Sequence, residues 1–329
     1  MNLFLRHASG LFQDLKKGYP QSWKRSGGLW LLLGLIGILG LPTTEARAQN
    51  YEVNIIATGL NQPFGLTASA LGDSDTLYFT EMPQAAMGLG TSGSNTISKL
   101  TLSTGDVSVL NRGDPQPTSI VQDAQSNLYW TSRAPGVIMM RAPSGDCAIL
   151  AWGLQQPIGI ALDAAGENLY FTEDPTYGVA GVNGGENRVA RLNLASGART
   201  VLNALDPAPW NMAIAKNGDI YFTCKSAGVI IHQDGITQKQ SLLLTGLQQP
   251  TGIALDPAGE NLYYTEVPVP GVAGGANTIS RYNLQSREIT LVHSGDPFPN
   301  SLAVTPNGNI YWTCTSAGVI IEAKAKAGN

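Results

Sequence analysis

From Tyr51 onward the apolar positions come in short runs, alternating or β-branched, and none recurs at the helical period. The stretch "TGIAL" (251–255) reads as a strand, "DPAGEN" (256–261) as a turn and "LYYTE" (262–266) as the returning strand. The turns "KNGD" (216–219) and "PNGN" (306–309) carry Asn-Gly, a strong hairpin signal. After a loop come "NTISRYNL" (277–284) or "GVIIHQ" (228–233), then "EITLVHS" (288–294) or "QSLLLTG" (240–246). The pattern predicts an all-β chain with four strands per unit.

The unit repeats. Residues 246–266 and 153–173 differ only at Thr251/Ile158, Pro257/Ala164 and Tyr264/Phe171, and residues 59–81 are a more diverged copy. A second type begins at Asp114, Asp206 and Asp296. Prolines 63, 157 and 250 mark the first type and prolines 117, 209 and 299 the second. Six related units of about 47 residues, in three tandem pairs, point to a ring of blades. The expected architecture is a six-bladed β-propeller. The last unit stops one strand short, while "YEVNIIATGL" (51–60) has no unit of its own and aligns with the fourth strand of unit four. The N-terminal strand is therefore expected to close the last blade, with residues 53–57 beside residues 319–321.

Composition adds a compartment. Lys24-Arg25, an apolar core (29–41) and the ending Ala46-Arg47-Ala48 read as a secretory signal. The domains are then a signal peptide (1–48) and the propeller (49–329), with an uncleaved anchor as the alternative. Six of the 20 basic and two of the 24 acidic residues lie in residues 1–48, leaving 14 against 22, a net charge of −8. An acidic, periplasmic or secreted protein attracts neither nucleic acid nor anionic lipid. Cys147, Cys224 and Cys314 follow no metal or disulfide spacing and read as small buried strand residues.

The pattern "QQPxGIALD…GxLYxTE…NxIxRxxL" resembles NHL-repeat propellers across residues 51–329, and more loosely the sugar-lactonase and strictosidine-synthase-like propellers. A narrower resemblance is to exported NHL-type proteins of the cyanobacterial scytonemin pathway, which implies an aromatic metabolite as substrate. The lactonase-like propellers hold a divalent cation at the starts of their innermost strands, with carboxylate and Asn ligands. This chain has Asn211, Asn300, Ser119 and Ser301 there and no carboxylate. That departure speaks against a lactonase reaction.

The proline segments and the long loops after "YxTE" share one face. There Phe64, Trp210, Phe298 and Tyr177 are expected at the mouth, where flat ligands stack. The candidate ligand contacts are Trp210, Asn211, Asn300, Ser119, Ser301 and Phe64. Glu81, Glu173 and Glu266 open the long loops, and Asn95, Asn187 and Asn277 end them. Each Glu can serve its own loop as a hydrogen-bond acceptor. The alternative is calcium held by Glu, Asn and loop carbonyls. The residues dictate no cofactor beyond such a candidate divalent cation. His232 and His293 are placed on outer strands away from this face, leaving no base for a nucleophilic triad. The expectation is an exported protein that binds a small molecule or a protein partner without catalysis. The alternative is an enzyme, either a metal-assisted hydrolase or one that processes an aromatic metabolite.

Overall fold

The computed structural model describes residues 47–48, 51–83, 94–175, 186–204, 206–268 and 276–326. Every regular element among them is a strand. Six antiparallel sheets form the blades of a propeller. From the axis outward, blade 1 holds Pro63–Ala68, Thr76–Glu81, Thr96–Thr101 and Asp106–Arg112. Blade 2 holds Pro117–Gln122, Leu128–Ser132, Val137–Arg141 and Cys147–Ala151, and blade 3 holds Pro157–Leu162, Asn168–Glu173, Arg188–Asn193 and Arg199–Ala204. Blade 4 holds Pro209–Ile214, Ile220–Cys224, Val229–Gln233 and Gln240–Leu244. Blade 5 holds Pro250–Leu255, Asn261–Glu266, Thr278–Asn283 and Ile289–Ser294, the last flanked in parallel by Arg47–Ala48. Blade 6 holds Pro299–Val304, Ile310–Cys314 and Val319–Ala325, and its outermost strand is Tyr51–Ala57. Ile55 pairs with Ile321 and Ala57 with Ile320, as the repeat predicts.

The core lies between blades. On each second strand the leucine or isoleucine and the second aromatic face one neighbour, so Phe79, Trp130, Phe171, Phe222, Tyr264 and Trp312 are all fully buried. Each blade is thus apolar on both faces and becomes stable only between two others.

The threonine of "YxT" explains how blades join. Every innermost strand slips register just after its proline, between Pro63 and Leu66 in blade 1, so two residues leave the ladder. The threonine hydroxyl of the second strand takes up the freed amide. Thr80 accepts from Gly65 N (2.8 Å), Thr172 from Gly159 N (2.8 Å) and Thr223 from Asn211 N (3.1 Å). The same hydroxyl donates to a carbonyl of the next blade: Thr80 to Thr118 (2.8 Å), Thr172 to Trp210 (2.9 Å) and Thr313 to Phe64 (2.9 Å). The last of these joins blade 6 to blade 1. In blade 5 the link runs through Thr251, which pairs with Thr265 (2.8 Å) and donates to Pro299 O (3.0 Å). Thr172→Val keeps the shape but leaves a buried N–H and a buried carbonyl unmet, and is expected to cost about 2–4 kcal/mol. Thr172→Ser is expected to restore most of this in urea unfolding.

Candidate functional site

The two residues released by each register slip reach the axis. In blades 1, 3 and 5 the second is Gly65, Gly159 or Gly252; in blades 2, 4 and 6 it is Ser119, Asn211 or Ser301. The six candidate contacts read from the sequence do converge. Phe64, Ser119, Trp210, Asn211, Asn300 and Ser301 line one pocket on the proline face, together with Gly65, Thr118 and Ile158. Its cavity is about 10 Å³, room for a single water. The reason is aromatic closure: Phe64 of blade 1 and Trp210 of blade 4, opposite each other in the ring, have ring centroids 6.4 Å apart at 46°. Phe298 stands more than half exposed nearby on the chain. Tyr177 and most of the three long loops lie outside the described residues.

Trp210 is itself buried, 4% exposed, and Lys225 Nζ sits 4.3 Å from its ring centroid. Burial, helped by the charge of Arg133 and opposed by Asp174, pushes the Lys225 ammonium down to about 8. Arg133 and Asp174 are buried, and Arg133 donates through Nε (3.2 Å) and Nη2 (2.8 Å) to Gln156 Oε1. Arg133, Asp174 and Lys225 occupy one position, the residue after the second strand, in blades 2, 3 and 4. Blades 5, 6 and 1 carry Val267, Thr315 and Met82 there. The mouth is therefore charged on one half and neutral on the other. The backbone N–H of each of the three bonds the carbonyl of the residue before its own blade's proline, Gln116, Gln156 or Ala208, all held at φ near +50°. Reading the units one at a time misses this trio; setting position against position across the six reveals it.

Two of the side-chain oxygens near the axis are already engaged. Asn211 Oδ1 accepts from Met212 N (2.8 Å), and Ser301 Oγ accepts from Leu66 N (3.2 Å). The three glutamates also have work of their own. Glu81 Oε1 accepts from Asn61 N (2.7 Å), Glu173 Oε1 from Gln155 N (2.5 Å) and Glu266 Oε1 from Gln248 N (2.7 Å). Glu81 Oε2 accepts from Thr96 Oγ1 (2.5 Å), and Glu266 Oε2 from Thr278 Oγ1 (3.2 Å). Each carboxylate thus pins the segment entering its own blade. Burial holds Glu173 and Glu266 above the usual carboxylate range, partly offset by those amides. N–H and O–H donors thus satisfy these carboxylate oxygens, while the loop carbonyls expected beside Asn95, Asn187 and Asn277 lie outside the described residues. Asn187 Nδ2 donates to Asp206 O (2.9 Å), and the buried Oδ1 atoms of Asn187 and Asn277 have no partner among the described residues. No group of three or more His, Cys, Asp or Glu side chains suited to a metal forms among the described residues.

The "DP" aspartates sit where one blade hands over to the next. Asp296 accepts from Trp312 Nε1 (2.9 Å) and meets His293 Nε2 (3.3 Å). His293 therefore belongs to the proline-face end of blade 5, which corrects its expected placement; His232 lies at the other end, 3.0 Å from Asp219. Asp114 accepts from Asn111. In blade 4 Phe222 replaces the tryptophan, and the Oδ2 of buried Asp206 has no hydrogen-bond partner among the described residues. Burial pushes its carboxyl up to about 7. The folded state then holds a proton that the unfolded chain releases near 3.8, so stability falls as pH rises from about 4 to about 7. The three-unit gap bounds the loss at about 4 kcal/mol. Asp206→Asn is expected to flatten this fall and to be the more stable protein at pH 8, read by melts at pH 5 and pH 8. Cys224 and Cys314 are fully buried as expected, whereas Cys147 is exposed on the outer strand of blade 2.

Beyond Ser119, Asn211 and Ser301 the channel widens toward the hairpin turns into a cavity of about 400 Å³. These three residues border both spaces and form a polar waist.

No protein-family model matches the chain. Solved structures share its architecture at low identity. A gluconolactonase from Xanthomonas campestris is 14% identical with a TM-score of 0.66, covering 84% of this chain and 90% of that one. The calcium-binding protein regucalcin from Agrobacterium tumefaciens is 14% identical with a TM-score of 0.64, covering 85% and 96%. Virginiamycin B lyase from Staphylococcus aureus is 18% identical with a TM-score of 0.55, covering 85% and 90%. At these identities the likeness establishes the fold, and the chain is a six-bladed β-propeller related in architecture to lactonase- and lyase-type propellers.

Proposed function

We propose that the chain is an exported propeller that binds a small ligand or a protein partner at its proline face, around Trp210, without chemistry of its own. The observation that carries this reading is the convergence of Phe64, Trp210, Asn211 and Asn300 on one mouth, flanked on one side by Arg133, Asp174 and Lys225. The side chains lining that pocket include no carboxylate and no imidazole among the described residues, so they offer contacts and not a base. The Trp210 ring is approached by Phe64 and by the Lys225 ammonium, so a flat ligand that stacks on it displaces one of them. A ligand that needs the ammonium binds below about pH 8 and weakens as pH rises through that value.

The test is a metal and small-molecule screen on the purified protein, read by tryptophan fluorescence. Trp210→Ala is expected to weaken any ligand found by tenfold or more; ligands indifferent to this change would remove the proposal. The second reading is an enzyme at the same mouth, with a divalent cation such as calcium in lactone hydrolysis, or acting on an aromatic, scytonemin-type metabolite. It draws on the gluconolactonase and regucalcin likeness and on a buried Asp174 beside a lysine of lowered pKa. Stoichiometric calcium that is lost in Asn211→Ala, together with lactone turnover, would establish it.

A further inference from the structure

We propose that the wide end of the channel is a second binding site, independent of the proline face, for an unbranched medium-chain carboxylate. Its breadth follows from the sequence. Side chains alternate along a strand, and two residues beyond the waist each innermost strand carries a small residue: Thr67, Val121, Ala161, Ala213, Ala254 and Ala303. Six short side chains leave the axis open, and the resulting volume of about 400 Å³ falls within the range of ligand pockets.

The lining selects the chemistry. It contains aliphatic side chains such as Leu162, Ile214, Leu255 and Val304 and no aromatic ring, unlike the mouth closed by Phe64 and Trp210. This favours an aliphatic chain over a flat ring. Two charged residues border it, Lys216 and Asp256. Asp256 is saturated within its own turn, its carboxylate accepting from Glu260 N (2.8 Å), Asn261 N (3.2 Å) and Asn261 Nδ2 (2.7 Å). Lys216 is exposed at the rim and spends one donor on Pro257 O (2.8 Å), a neutral acceptor. Its charge and two donors remain for an anion. Lys216 lies five positions beyond the waist at Asn211, just past the end of the strand at Ile214, a span of at most about 16 Å. A ten-carbon chain, about 12 Å long by ordinary covalent geometry, fits between an anion held at Lys216 and the polar waist.

Titration calorimetry of the full chain with sodium decanoate below its micellar concentration tests this. One saturable site is expected. Ala213→Trp should weaken it at least tenfold, Lys216→Met at least threefold, and Trp210→Ala should leave it unchanged. Decyltrimethylammonium should bind at least fivefold more weakly than decanoate. If Ala213→Trp fails to fold, Ala254→Leu is the smaller plug and decides. Absence of saturable binding overturns the proposal, as does undiminished affinity in a plugged variant with the wild-type melting curve. Equal affinity for the cationic amphiphile, or for Lys216→Met, overturns the assignment of an anion.

Discussion

Gly65→Ala is expected to cost on the order of 3–5 kcal/mol, a large part of the 5–15 kcal/mol that holds most domains folded. A Cβ built on Gly65 would lie 2.1 Å from Thr118 O and 2.9 Å from Thr118's neighbour Ser119 Cα. Both are backbone atoms of the next blade, and neither can swing away. The same carbonyl is the acceptor for Thr80, which in turn receives Gly65 N. The methyl group and the threonine bridge therefore compete for one space. Blades 1 and 2 must part or the bridge must break, exposing two buried polar groups. Gly159→Ala, with its nearest backbone atom at 2.6 Å, should cost less, and Gly252→Ala, at 2.8 Å, less again. Gly259→Ala is the control. It has φ of +74° and nothing within 4 Å, so only the backbone preference is lost. Urea unfolding of the four variants checks the order; a Gly65 variant no worse than the Gly259 variant would sink the argument.

The second large effect concerns closure. Removing Tyr51–Ala57 takes away the outermost strand of blade 6 and its whole ladder with Val319–Ala325. Buried Ile321 and Ala323 would lose their cover, as would the cluster they form with Trp312 and Ile310, and so would Ile320 in its separate cluster with Tyr311 and Ala57. The bond from Leu60 N to Gly318 O (3.0 Å) would lose its framing strand. Because every blade is stable only between two others, damage to one reaches the whole ring. The truncated protein is expected to lose its single sharp melting transition and to bind hydrophobic dyes. Retention of a cooperative melt within a few degrees of the full protein would show that the ring closes without this strand.

Much of this architecture is legible in the chain because the repeat supplies six aligned readings of each position. The prolines, hairpin turns and "LYYT"-type strands locate every blade, and the missing fourth strand of the last unit locates the closure. The axial residues follow too, since Trp210, Asn211 and Asn300 directly follow the marker prolines. What stays hidden depends on partners distant in sequence. Nothing local shows that Glu173 reaches back to Gln155 N, or that Phe222 leaves Asp206 with one partner fewer than Asp296 has. The Arg133, Asp174 and Lys225 trio differs from blade to blade, so it escapes a reading that looks for what the units share. His293 sits at the proline-face end against expectation, because strand membership says little about which end of a blade a residue occupies. The wide cavity is written in small residues, whose effect is visible only once six strands face a common axis.

The alternation of glycine with serine or asparagine around the waist has a consequence for how such a ring can change size. Units of one kind meet only units of the other kind at all six junctions. Gain or loss of a single unit would set like beside like at one seam, so this lineage is expected to lengthen or shorten by whole pairs, through four, six or eight blades.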